Sequence, residues 1–246
     1  AAKAKTYAIV ARKSAAEARI AEERVYSVPA FEREETTFGG MNYIGQVSGG
    51  VPHGNGVIYL GENSSYAGEF RKGDFTGYAV LTDASGDRYE GQFLGGALTG
   101  YGVYYFSDGS RFEGKLEGNY FTEFGVAYFT DGSRYEGGYL KSNRTGFGEA
   151  TYPDGSYFQG EFQKGRRGGF GIYHNINGEL TYAFWQGQSP EPDRNVVHTA
   201  AQEAEEMAVR VTPLNEIYTA RTKVILRQAP DDLSPRVANI LDGSPV

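Results

Sequence analysis

Cysteine is missing from the 246-residue chain, which also has only two methionines, one tryptophan and three histidines. Without cysteine there are no disulfide staples, no thiolate metal ligands and no thiol nucleophile. His53, His174 and His198 have no second histidine or carboxylate at metal-ligand spacing, so they read as surface or structural residues. No Ser, His and Asp share a nucleophile context, and the Gly-x-Gly pairs open no helix that could cradle a dinucleotide. No cofactor or metal is expected. Long apolar runs are also missing: Ala8-Ile9-Val10-Ala11 is far short of the roughly 18 to 20 residues that cross a bilayer. No charged-then-apolar leader is present, and a start at Ala1 reads as a fragment or processed product. A net charge of −7 offers no general attraction to nucleic acid or to anionic lipid.

What the chain has instead is glycine, 35 residues of it, with 19 tyrosines and 15 phenylalanines. Many glycines with many rings point to a turn-rich β architecture. An aromatic followed two places later by Gly recurs at Tyr43, Tyr66, Tyr89, Phe112, Tyr135 and Phe158, always 23 residues apart. In the same phase come a second apolar residue (Val47, Phe70, Phe93, Leu116, Tyr139, Phe162) and a Gly-x-Gly such as Gly100 and Gly102. Before most of the aromatics sits a turn pair such as Asp108-Gly109, Asp131-Gly132 or Asp154-Gly155.

Each unit therefore reads as two short antiparallel strands. Asp-Gly suggests a two-residue primed hairpin turn, and the Gly or Asn seven places after the aromatic suits a longer return loop. The 23-spaced aspartates could suggest calcium, but turn geometry accounts for them. Strand alternation puts Tyr89, Gly91 and Phe93 on one face and Arg88, Glu90 and Gln92 on the other. The pairs Arg88/Glu90, Arg111/Glu113 and Arg134/Glu136 predict a self-compensating charged ladder that keeps that face soluble. The fold class is mainly β, an elongated single-layer antiparallel sheet of twelve strands, roughly 60 Å long. A seventh unit fails after Asn177-Gly178, which reads as a terminal half-repeat running to 188.

The segment "YEGQFLGGALTGYG" from Tyr89 to Gly102 resembles a MORN repeat, and the resemblance covers residues 39 to 188. The fourth copy departs at Asn119 and Glu123, and the second at Ala79. The resemblance implies a β-hairpin repeat associated with membrane junctions, phospholipid contact, dimerisation and partner docking. A weaker one covers Tyr218 to Val246, which resembles the first half of a bacterial Src-homology-3-like domain and leans toward a bacterial envelope or periplasmic setting. Residues 214–246 are too few to close such a barrel.

Residues 3 to 26 read as a helix ending before Pro29, with apolar positions too small and sparse for a coiled-coil seam. It suits a solvated helix, a lead from an upstream domain or a partner-binding helix equally. Residues 30 to 38 read as a linker. A helical stripe from Asn195 to Val211 is expected to cap the last repeats over Trp185.

Two candidate sites follow. The first is a partner-binding aromatic face of Tyr43, Tyr66, Tyr89, Phe93, Phe112, Tyr135, Tyr139, Phe158, Phe162 and Trp185, weighed against those rings being simple core. The second, weaker, is a lipid-headgroup cluster of Lys164, Arg166 and Arg167, weighed against a solvated loop. The expected function is a non-enzymatic scaffold for protein docking or self-association, with a helix on the aromatic face as one occupant. The alternatives are a peripheral phospholipid-contacting tether and the regulatory region of a larger enzyme.

Overall fold

The computed structural model describes residues 2–190 and 196–199. Sixteen strands form one open antiparallel sheet, and up to Pro190 each strand lies beside its neighbours in the sequence. The strand Val196–Thr199 pairs with Glu179–Gln186, so the helix expected from Asn195 starts instead with a strand; the rest of that helix and the segment 214–246 lie outside the described residues. At the other edge the expected linker is a short 3₁₀ turn, Ala30–Glu32, followed by the strand Glu34–Phe38. That strand pairs with Met41–Ser48, which gives the first unit a neighbour it would otherwise lack.

The two kinds of loop exchange roles relative to expectation. The primed two-residue turns are those six and seven places after the aromatic: Gly95 and Gly96 both have positive φ, 57° and 80°, as do Lys72-Gly73 and Lys164-Gly165. In the Asp-Gly turns only the glycine is left-handed, as at Gly109 with φ 92°. There Gly109 N–H donates to Phe106 O at 2.9 Å, and Asp108 Oδ1 accepts from Ser110 N at 2.7 Å. Asp is selected here as the acceptor that holds the turn, rather than for its own backbone conformation.

Within each unit the ring lies flat over a cross-strand glycine pair. Gly91 faces Gly102, and a Cβ at Gly102 would stand 2.5 Å from Tyr89 Cε2. Just past that pair the register shifts, and the return strand bulges at left-handed Gly100. Gln92 Oε1 fills the bulge by accepting from Tyr101 N at 3.0 Å. The phenol of Tyr43 donates to Gln46 O at 2.6 Å and that of Tyr66 to Glu69 O at 2.7 Å, tying ring to backbone.

The N-terminal helix α1 (Ala2–Ser27) is not solvated. It crosses the charged face from the fifth unit back to the first. Ala4 and Ala8 pack on Val126, Ala11 and Ala15 on Val103, and Val25 on Val57 and Ala67. Alanine's small side chain lets the helix axis come close to the strands, so the small positions that argue against a coiled coil are the ones this contact requires.

Candidate functional site

The ladder face is a helix-binding surface built one repeat at a time. Seven helical residues rise about 10.5 Å, and two strands span about 9.6 Å, so one heptad nearly matches one repeat. Lys5, Arg12 and Arg19, seven apart, reach Glu136, Glu113 and Glu90, which are 23 apart. The N···O distances are 2.5 Å at Arg19, 2.8 Å at Arg12 and 3.7 Å at Lys5. Each of these glutamates also pairs with its own strand's arginine, Arg88, Arg111 or Arg134. The self-compensating pairs are present, but Glu90, Glu113 and Glu136 are no more than 4% exposed. The ladder's glutamates lie under α1, while Arg88, Arg111 and Arg134 stay partly exposed.

The fourth unit's departures have local compensation. Glu123 holds a left-handed backbone, φ 53°, where other units have glycine. Its carboxylate pairs with Lys115 and accepts from Tyr7 Oη at 2.7 Å. Those two partners, Lys115 first, hold Glu123 below the usual carboxylate range, and the hydrogen bond to Glu123 is the main cause that pushes the Tyr7 phenol up. A strained residue has become one more anchor for the helix.

On the opposite face the ten aromatic side chains proposed for partner binding are brought together, but as the interior of one core cluster. The most accessible of them, Tyr139, is 6% exposed. The physical reason is the glycine pair, which lets each ring lie against the backbone, while the next unit's second aromatic meets it edge-on. Phe70 sits between Tyr43 and Tyr66, at ring separations of 5.2 and 5.0 Å. Phe93, Tyr139, Phe162 and Trp185 continue the same edge-to-face pattern.

Over these rings lies a second layer that the sequence reading passed over. Nine places after each aromatic stand Pro52, Phe75, Leu98, Phe121, Arg144 and Arg167. Phe75 stacks on Tyr66 and Phe121 on Phe112, both at 3.9 Å. In the last two units arginine takes that place, with the Arg144 guanidinium 5.4 Å from the Tyr135 ring and that of Arg167 4.7 Å from Phe158. Of the basic cluster expected on the loop, Lys164 and Arg166 are exposed, whereas Arg167 is buried among rings. The 23-residue spacing was the available signal, with its change from apolar to cationic.

Two openings interrupt this outer layer. Ala127 stands where the preceding unit has Tyr104, and beside it is an opening of about 210 Å³ walled by Phe106, Phe121, Phe129, Tyr139 and Arg144. The second, about 620 Å³, is lined by Tyr152, Pro153, Arg167, Tyr173, Trp185 and Pro190. Among the described residues no group of three metal-ligating side chains comes together.

This tandem unit, a ring on a glycine pair repeated every 23 residues, matches the family description "MORN repeat" at residues 43–64, 66–88, 89–111, 135–157 and 158–179. Five segments of the chain match MORN repeats. Residues 112–134, which contain Asn119 and Glu123, are not among the matched segments, although they pair strand for strand like the matched units. The match ends at 179, so the C-terminal Src-homology-3-like resemblance has no counterpart in it. MORN repeats are non-catalytic modules that generally bind proteins or membranes. No curated protein matches the chain at a significant level. Among solved structures the MORN sheet is similar to one described as the SAS-4 (dCPAP) TCP domain in complex with a proline-rich motif of Ana2 (dSTIL) of Drosophila melanogaster. That similarity is 16% in identity and covers 70% of this chain and 92% of the other, with a TM-score of 0.28. The superposition is loose.

Proposed function

We propose that this chain is a non-enzymatic docking scaffold that binds a protein partner on the outer aromatic layer of its last three repeats. The observation that carries this reading is the contrast between the two faces. One is closed by α1, with a buried glutamate for each heptad. On the other, Phe106, Phe129, Tyr152 and Tyr173 border two openings that nothing among the described residues fills. Aromatic rims around concave surfaces are the usual anchors of protein interfaces. The ten deeper rings hold this surface in place and are not themselves the contact.

Net charge in the repeats argues against a phospholipid surface as the main partner, since residues 43–188 hold 11 Lys and Arg against 16 Asp and Glu. No helix among the described residues is long and apolar enough to cross a membrane. The test is a photocrosslinking side chain placed at Tyr152 or at Lys13, on the outer side of α1, in the native host extract. Defined protein adducts from position 152 and not from 13 support the scaffold. The reading fails on equal labelling at both positions, or on vesicle binding that rises with anionic lipid and accounts for all association.

A further inference from the structure

Basic side chains in this molecule are treated in two different ways. On the helix face Arg88, Arg111 and Arg134 each meet a buried glutamate, and Lys115 meets Glu123. On the aromatic face Arg144 and Arg167 have no carboxylate within ion-pair distance among the described residues, and they alone of the buried or half-buried cations lack one. Arg144 donates to Gly165 O at 2.5 Å. Arg167 is 8% exposed, and its Nε and one terminal nitrogen both point to the single phenol oxygen of Tyr152. A guanidinium has five N–H donors, and the Tyr152 phenol takes only two of them.

The surroundings of Arg167 form a cage. Its guanidinium carbon lies 4.7 to 5.2 Å from the ring centres of Phe158, Trp185, Tyr173 and Tyr152. The cage forms one wall of the larger opening, between Pro153 and Pro190. Asp154, on the rim, is committed elsewhere, accepting from Ser156 N at 2.9 Å and from Ser156 Oγ at 2.6 Å. Trp185 is likewise occupied, donating its indole N–H to Gly171 O at 3.1 Å.

We infer that the Arg167 cage is a carboxylate-binding site that receives an acidic side chain from an extended partner peptide. This deepens the docking reading and rests on it. Three observations select the occupant. No described carboxylate compensates the cation, so the complementary ligand is an anion. Its planar fork suits a carboxylate approached edge-on, and the surrounding rings exclude water from the pair. Arg167 is buried while Tyr152 and Tyr173 beside it are only half-buried, so a single inserted side chain reaches the guanidinium more readily than a bilayer surface does. The sequence supports a dedicated role, because the same position is apolar in the first four repeats and core packing there needs no charge.

Trp185 is the only tryptophan in the chain, so intrinsic tryptophan fluorescence reports on this cage alone. The experiment titrates the full chain with acetylated hexaglutamate, and with hexaglutamine as the uncharged control. The expected result is a saturable change in Trp185 emission with hexaglutamate only, weakening as salt is raised. Arg167→Leu and Arg167→Phe restore the residue types found at Leu98 and Phe121, so the cage remains packed. Each is expected to weaken hexaglutamate binding about tenfold or more while thermal unfolding stays cooperative.

Equal responses to the two peptides, no response to either, or unchanged affinity in Arg167→Leu would each overturn the proposal. So would anionic vesicles that shift Trp185 emission where the peptide does not. The hexaglutamine comparison needs no variant, so the proposal stays exposed even where a substitution prevents folding. Crosslinks from Tyr152 together with charge-blind peptide responses would discard the carboxylate site and leave the scaffold reading intact.

Discussion

The helix and the sheet match because a heptad and a repeat have nearly the same length, and insertions in α1 test that directly. One alanine inserted after Lys13 rotates everything N-terminal to it by about 100° relative to the rest of the helix. Ala4, Ala8 and Ala11, all essentially buried, then leave the valine ridge. At about 0.8 kcal/mol per buried methyl this costs roughly 2.4 kcal/mol. The pairs made by Lys5 and Arg12 are also lost. Both cations are more than half exposed, so each pair is worth only about 0.3 kcal/mol. The total is about 3 kcal/mol, or a fall of roughly 6 to 12 °C in the unfolding midpoint of a domain this size.

Inserting seven residues instead, by duplicating residues 7–13, keeps the phase. The duplicated arginine then faces Glu113, the original Arg12 faces Glu136, and Lys5 moves on toward Gln159. The original Ala11 and the duplicated Ala8 then stand where Ala4 and Ala8 stood on Val126, so the buried contacts are kept and the loss is under about 1 kcal/mol. The assay is thermal unfolding followed by circular dichroism, with hydrogen exchange of the α1 amides as a local readout. Equal losses from the two insertions, or no loss from the single alanine, would refute the matched-length argument.

The remaining predictions concern the repeats and their ionisable groups. Gly91→Ala is expected to cost about 3 kcal/mol, because its Cβ would stand 2.8 Å from the Gly102 backbone. For Gly102→Ala the nearest atoms all belong to the Tyr89 ring, and the second unit already holds Ala79 at the equivalent position; about 1 kcal/mol is expected, and denaturant unfolding giving the reverse order would contradict this account. In acid, Asp87 is held below its ordinary 3.8, first by Ser107 N–H and then by Tyr104, and Glu123 is similarly lowered. Their folded pKa values lie below the unfolded ones, so their contribution is present above about pH 4 and is lost as pH falls through the lowered values. Asp87→Asn should flatten the midpoint-versus-pH curve in that window. In alkali, burial pushes the Tyr43 phenol up from 10.0 to about 12. Its contribution is complete below pH 10 and is lost as pH rises through about 12, so phenolate absorbance from buried rings should appear together with unfolding.

Much of this molecule was local and therefore legible. The 23-residue period, the aromatic-x-Gly strand and the alternation of faces all follow from neighbouring residues, and adjacent pairing converts them into one sheet. The turn types were harder to assign, because Asp-Gly suits both a primed two-residue turn and a three-residue turn whose glycine alone is left-handed. The choice between them depends on register across the strands. Glu34–Phe38 offers only Thr36, Thr37 and Phe38 as a strand signal, and it pairs with the edge that Met41–Ser48 presents.

The candidate site shows where local reading ends. Tyr89 and Phe93 were correctly placed on one face, but whether a face is surface or interior depends on what covers it. Flat rings over paired glycines, with arginine or phenylalanine above, turned the expected binding row into core. Likewise the alanines of α1 and the glutamates of the ladder are each unremarkable in isolation. Their partnership depends on 10.5 Å of helix meeting 9.6 Å of sheet, a comparison between distant segments. The sequence by itself determined the repeating unit, since each hairpin is made of contiguous residues. Only the tertiary structure decided which face closes and which stays open, because that depends on helix and sheet spacings coinciding across more than a hundred residues of chain, as Tyr7 and Glu123 show.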